Sequence, residues 1–206
     1  EGVEIFPSLR EVPGSPDAVV LAVPPPAIPR ILEDAGKIHA GGAIVFSGGF
    51  AETGNDGEAL QKQICGIARA GGVRLLGPNS AGIIHPSART ILSFLTCLER
   101  PMGEIRPGPV GLITQSGGTG SYIHNLAAER RGGLAISVST GNEADIEMGD
   151  VFYALVEDPE VHAIALLLES VRHGPRFIEA AHAARAAGKA VVYQWESRKR
   201  TPSPVF

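Results

Sequence analysis

An apolar run, Val110-Gly111-Leu112-Ile113-Thr114, ends at Gln115-Ser116-Gly117-Gly118 and passes straight into helical periodicity marked by Tyr122, Ile123, Leu126 and Ala127. A continuous apolar run of this kind reads as a parallel strand buried on both faces. No bulky side chain stands in front of the helix that follows it. The turn therefore outlines an anion site: free N–H groups and the positive end of the helix dipole meet there, and glycine lets a ligand approach the backbone. Taken alone, the motif is read equally well as a tight packing turn without a ligand.

The same unit recurs along the chain. Ala18 to Val23 is an apolar run stopped by Pro24-Pro25-Pro26, and Ile28, Ile31, Leu32, Ala35 and Ile38 then follow at helical spacing. Ala43 to Ser47 runs into Gly48-Gly49-Phe50, and Leu60, Ile64, Ile67 and Ala68 mark the next helix. Val73 to Leu76 ends at Gly77-Pro78-Asn79. Strand, helix, strand, helix, strand implies a parallel sheet with helices on its faces and ligands at the strands' C-terminal ends. Between His85 and Pro109 the periodicity is lost and prolines accumulate, which places a domain boundary near residue 88, with domains over 1–88 and 89–206. The pattern restarts at Val110. It continues with strands at Ala135 to Val138, Ala163 to Leu168 and Ala190 to Tyr193, and with helices marked by Phe152 and Leu155 and by Phe177 and Ala184. The tail, 195–206, is polar and basic and is expected to lack order or to be borrowed by a partner.

Composition narrows the function. A chain of 206 residues forms one large or two small domains, and 44% hydrophobic with 19% charged residues describes a soluble globular protein. The formal charge of −4 argues against a nucleic-acid partner. Cys65 and Cys97 lie far apart in no metal-like spacing and read as reduced, buried thiols in a cytoplasm. No apolar run reaches membrane-spanning length. The sequence shows no metal-ligand cluster and no carboxylate pair, and Gln115-Ser116-Gly117 lacks the first glycine of a nucleophile elbow.

Five strand-end loops, taken together and in order, carry a resemblance. Val23-Pro24-Pro25-Pro26, Phe46-Ser47-Gly48-Gly49-Phe50-Ala51-Glu52, Gly77-Pro78-Asn79-Ser80-Ala81-Gly82, Gln115-Ser116-Gly117-Gly118 and Gly141-Asn142-Glu143-Ala144-Asp145 resemble the NDP-forming acyl-CoA synthetases. That superfamily includes the ADP-forming acetyl-CoA synthetases and the α subunit of succinyl-CoA synthetase. The resemblance implies an α/β chain: a Rossmann-type CoA-binding domain followed by a flavodoxin-like, parallel-sheet ligase domain. The implied reaction converts acyl-CoA, phosphate and ADP to acid, CoA and ATP, reversibly, through an acyl phosphate and a phosphohistidine. ATP or ADP and Mg would sit on a partner ATP-grasp domain or β subunit, in an oligomeric assembly acting on a small acyl substrate. By the same resemblance Phe46, Ser47 and Gly48 lie against CoA with Pro24 and Pro25 beside them, and Asn79 is near the reacting thioester. Ser116, Gly117 and Gly118 receive the phosphate, and Glu169 orients the phosphohistidine.

Two departures from the family pattern stand out. The family's first strand and glycine-rich turn have no match here, leaving the CoA-binding domain short by about one βαβ unit. The nucleophilic histidine, expected in a glycine-rich loop beyond the last strand, is not found, since that strand runs into Gln194-Trp195-Glu196. A non-catalytic CoA- or acyl-CoA-sensing module is therefore the alternative, and a nucleotide-linked dehydrogenase a weaker third. Of the six histidines, His124 is nearest the anion site, but within a helix it is too rigid to carry a phosphoryl group and reads as a surface residue. The loop Gly141 to Asp145 either closes over the site through Asn142 and Glu143 or caps the next helix through Asp145.

Overall fold

A computed structural model describes residues 2–99 and 105–196. The first three apolar runs form strands β1 (Ala18–Leu21), β2 (Gly42–Val45) and β3 (Arg74–Leu76), joined by helices α1 (Ile28–Lys37) and α2 (Asn55–Ala70). They pair in the order β1-β2-β3, all parallel. Pro29 falls in the first turn of α1, where a missing N–H interrupts no helical bond. Strand alternation puts Leu21, Val45 and Leu75 against Ile28, Leu32 and Ile64 of the two helices. Val20, Ile44 and Leu76 face the other way, onto Ile83, Leu92, Val138 and Val151 from later in the chain.

Those later residues belong to a second sheet. Strands β4 (Gly82–His85), β5 (Thr90–Ser93), β6 (Val110–Thr114), β7 (Leu134–Ser139), β8 (Ala163–Leu168) and β9 (Ala190–Trp195) pair in the order β5-β4-β7-β6-β8-β9. Helices α3 (Gly117–Glu129), α4 (Met148–Glu157) and α5 (Gly174–Ala186) connect its parallel part. The stretch from His85 to Pro109, where the sequence shows no periodicity, is not irregular throughout, since it holds β5. Two four-residue strands form an antiparallel hairpin on the β7 edge, so the sheet is mixed and the sheets change over before residue 88. Strands this short, separated by the four residues Pro86 to Arg89, give no periodicity to read.

Leu112 of β6 packs with Ile123 of α3, whereas its neighbour Ile113 packs with Phe152 of α4 and Ala180 of α5. Fully burying a side chain such as Ile113 or Phe152 contributes about 1.5–3 kcal/mol. From β6 the chain goes through α3 to β7 on one side, then through α4 to β8 on the other. β6 and β8 thus flank a topological switch point, where helices leave toward opposite faces and open a crevice at the strand ends.

Two ends and one cysteine differ from the expected ones. α4 is capped by Glu147 and Asp150 in a reciprocal capping box, and not by Asp145, whose Oδ2 accepts from Leu75 N (2.8 Å) and Arg74 Nε (2.9 Å). β9 reaches Trp195, and Glu196 N donates to Leu168 O at 2.7 Å, so the ordered chain runs past the expected start of the tail. Residues 197–206 lie outside the described residues. Cys97 is buried, but Cys65 is only half-buried and its Sγ donates to Ala144 O at 3.4 Å. No described helix is long and apolar enough to cross a membrane.

Candidate active site at the strand ends

The turn between β6 and α3 is shaped by Thr114, whose Oγ1 accepts from Ser116 N (3.0 Å) and donates to Ser116 O (2.8 Å). Ser116 is the N-cap of α3; its Oγ accepts from Thr119 N (3.4 Å) and lies in hydrogen-bond contact with Thr119 Oγ1 (3.1 Å). The Ser116 hydroxyl is thus engaged by its own helix. The first-turn N–H groups of Gly117 and Gly118 have no intrahelical acceptor. The two glycines differ in what they permit. A Cβ on Gly117 would stand 2.9 Å from Ala81 Cβ, whereas one on Gly118 would meet nothing within 4 Å. Packing requires the first; the second leaves room at the helix end.

Gln115 joins the ends of β6 and β8. Its Oε1 accepts from Glu169 N (2.6 Å) and Ser170 N (2.9 Å), and its Nε2 donates to Ser170 O (3.0 Å). This clip holds Glu169 beside the helix end. Glu169, Asn79, Phe46 and Ser116 to Gly118 all border one open crevice of about 440 Å³. A second crevice of about 240 Å³ shares Asn79, Gln115 and Glu169 and adds Glu52, Asn142 and Arg172. No histidine lines either one.

Of the remaining predicted residues, Pro24, Pro25, Ser47 and Gly48 line neither crevice. Ser47 Oγ donates to Val23 O, which ties the Pro24-Pro25 loop to Phe46-Ser47-Gly48. Asn79, with φ of +57°, donates its N–H to Ser47 O at 2.9 Å. Glu52 Oε1 accepts from Gly49 N at 2.6 Å, and its other oxygen accepts from Asn142 Nδ2. Partial burial pushes the Glu52 carboxyl up, but the bonds from Asn142 and from the Gly49 and Phe50 backbone outweigh it and hold the group below the usual carboxylate range. Asn142 therefore closes the loop onto the first half of the molecule. Glu143 does something else: it is 3% exposed, and its Oε1 accepts from Thr140 Oγ1 (2.8 Å) and Met148 N (3.2 Å). Its Oε2 has no partner among the described residues, and burial pushes its carboxyl up.

His124 is not at the surface. It is 9% exposed, its Nε2 has no partner among the described residues, and burial lowers its pKa to about 4. It lines a small cavity with Cys97 and Leu134, apart from the crevice. Phe94 and Glu196 carry no signal as site residues in the sequence, and Gln115 enters it only as part of its loop, without a role. Glu196 Oε1 accepts from Thr119 Oγ1 at 3.2 Å, beside the α3 cap.

Comparison with known proteins agrees with this fold. Residues 1–86 match a CoA binding domain, and residues 107–201 match a succinyl-CoA ligase-like flavodoxin domain. The α subunit of ADP-forming acetate–CoA ligase II from Pyrococcus furiosus is 33% identical over 181 residues, covering 88% of this chain and 38% of that subunit. A trans-feruloyl-CoA synthase from an unknown prokaryotic organism is 33% identical over 192 residues, covering 93% of this chain and 27% of that protein. The acetyl-coenzyme A synthetase 1 of Candidatus Korarchaeum cryptofilum superposes with a TM-score of 0.85 at 29% identity, over 94% of this chain and 41% of that one. It has also been solved in complex with phosphate and ADP. The chain is a CoA-binding domain followed by a flavodoxin-like ligase domain. It belongs to the NDP-forming acyl-CoA synthetase superfamily, and it spans 38% and 27% of the lengths of the two curated relatives.

Proposed function

We propose that this chain is the CoA-binding and ligase portion of an acid–CoA ligase that forms ADP or GDP in the direction of acyl-CoA synthesis. The observation that carries the reading is the meeting of the α3 N-terminus with Glu169 at the switch point between β6 and β8. In the direction of acid release, phosphate attacks the thioester carbonyl, CoA leaves as the thiol, and the acyl phosphate passes its phosphoryl group to a histidine. The phosphohistidine then delivers the phosphoryl group to ADP on an ATP-grasp domain or subunit, where nucleotide and Mg are held.

Within this scheme the N–H groups of Gly117 and Gly118 hold the phosphate as a fixed dipole, which needs no reorganisation as charge moves. The open space at Gly118 fits a tetrahedral anion that a Cβ would crowd. Glu169 accepts a hydrogen bond from one imidazole N–H and leaves the other nitrogen to meet phosphorus. Phe46, Ser47, Gly48 and Asn79 guide the CoA arm, with Pro24 and Pro25 supporting them. The test is phosphorylation of the complete synthetase by ATP. An acid-labile, alkali-stable phosphoenzyme that is discharged by ADP, and whose yield falls in Glu169→Gln, is expected. CoA binding by calorimetry with no phosphoenzyme in the complete protein would refute the ligase role and leave a CoA sensor.

A further inference from the structure

One wall of the 440 Å³ crevice is apolar, and the phosphate chemistry does not use it. Phe46, just after β2, and Phe94, just after β5, meet edge to face with ring centroids 4.8 Å apart and planes at 61°. Ala81 and Leu95 continue the wall. It abuts the anion site directly: Leu95 Cδ2 lies 3.7 Å from the position a Cβ would take on Gly117. Phe94 nevertheless leaves 60% of its surface exposed, and among the described residues no other exposed aromatic borders this crevice. An uncovered ring whose edge-to-face partner is already in place presents one more aromatic face for a third ring.

The size of the crevice points the same way. At roughly 30 Å³ per water-sized group, an acetyl group of three heavy atoms fills on the order of 100 Å³. The crevice has room for that several times over. Its polar features are confined to the strand ends and to one hydroxyl pair, Thr96 Oγ1 and Ser121 Oγ, 2.9 Å apart.

Resting on the ligase reading above, we propose that Phe94, Ala81 and Leu95 form the acyl-binding surface, with Phe46 of the CoA side only backing the Phe94 ring, and that the acid this protein activates carries an aromatic ring packed on Phe94. Its carboxyl carbon then sits beside the N–H groups of Gly117 and Gly118. The test uses the complete synthetase with cinnamate and acetate as alternative acids, CoA and ATP being saturating, and follows acyl-CoA formation. The ratio of kcat/KM for cinnamate over acetate is expected to exceed ten. Phe94→Ala should lower that ratio at least tenfold, whereas Phe94→Tyr, which keeps the ring, should hold it within threefold. Preference for acetate, or a ratio unmoved by Phe94→Ala, overturns the assignment. So does a rise in KM for CoA of equal size with both acids, since the wall would then serve the thiol arm. Acyl-CoA formed from acetate alone removes only the aromatic assignment, whereas acyl-CoA from no acid removes the ligase reading with it.

Discussion

Replacing His124 with leucine should make the protein markedly more resistant to acid. The imidazole is 9% exposed within α3, its Nε2 has no partner among the described residues, and burial lowers its pKa from the ordinary 6.5 to about 4. Between those two values the unfolded chain binds a proton that the folded chain excludes. Stability from this group is fully present above pH 6.5 and drains away as pH falls toward 4. The shift spans two and a half pH units, and at about 1.36 kcal/mol per unit the loss is about 3 kcal/mol. For a chain of this size that corresponds to a fall in Tm on the order of 10 °C. Urea denaturation from pH 7.5 to pH 4 on the wild type and on His124→Leu isolates the effect, because every other titrating group is common to both. The wild type should lose about 3 kcal/mol more than the variant across that interval. Parallel profiles would refute the buried neutral imidazole.

Other consequences of the geometry are open to simpler tests. Gly117→Ala drives a methyl group to 2.9 Å from Ala81 and should cost about 1–3 kcal/mol of stability in denaturant melts. Gly118→Ala points into open space; it should stay within about 0.5 kcal/mol of the wild type. It should nevertheless weaken thermal protection by inorganic phosphate about tenfold. Loss of protection in neither variant would remove the helix end as the anion site. Glu143 has the opposite linkage to His124. With its folded pKa raised, its stability contribution is present below the ordinary carboxylate value and is lost as pH rises through the folded value. Glu143→Gln should therefore gain on the wild type as pH increases from 5 to 8, and a constant difference in melting profiles would contradict this. Lys189→Met removes the ammonium that donates to Leu155 O and Asp158 O at the end of α4. A cost of about 1–2 kcal/mol is expected, with faster amide exchange confined to the last turn of that helix.

The elements that the sequence revealed are those decided within a dozen residues of chain. The β6 run and the glycines after it show a buried strand and a helix start, because side-chain period and backbone permissiveness are local properties. The same holds for β1, β2 and β8, and the loops that carry the family resemblance are all strand ends of this kind. The β4–β5 hairpin was invisible because its strands are too short to repeat and gain their order from pairing with β7. His124 shows the same limit. Its helical position is plain from the periodicity around it, but its burial depends on what the neighbouring structure places over α3.

Convergence is what the chain order could not supply. Asn142 reaches Glu52 across 90 residues and Gln115 reaches Glu169 and Ser170 across 54 and 55, contacts to which no local pattern points. Sequence alone determined that a helix starts at Ser116 to Gly118 with its first N–H groups uncovered by bulky side chains, because a strand-to-helix turn and its glycines are local properties of the backbone. Only the tertiary structure decided what stands around that turn. Pairing β8 against β6 brings Glu169 to the helix end, and folding the hairpin back on β7 sets Phe94 and Leu95 beside it. Both follow from strand order, which is settled by burial over the whole sheet and leaves no mark in any single segment.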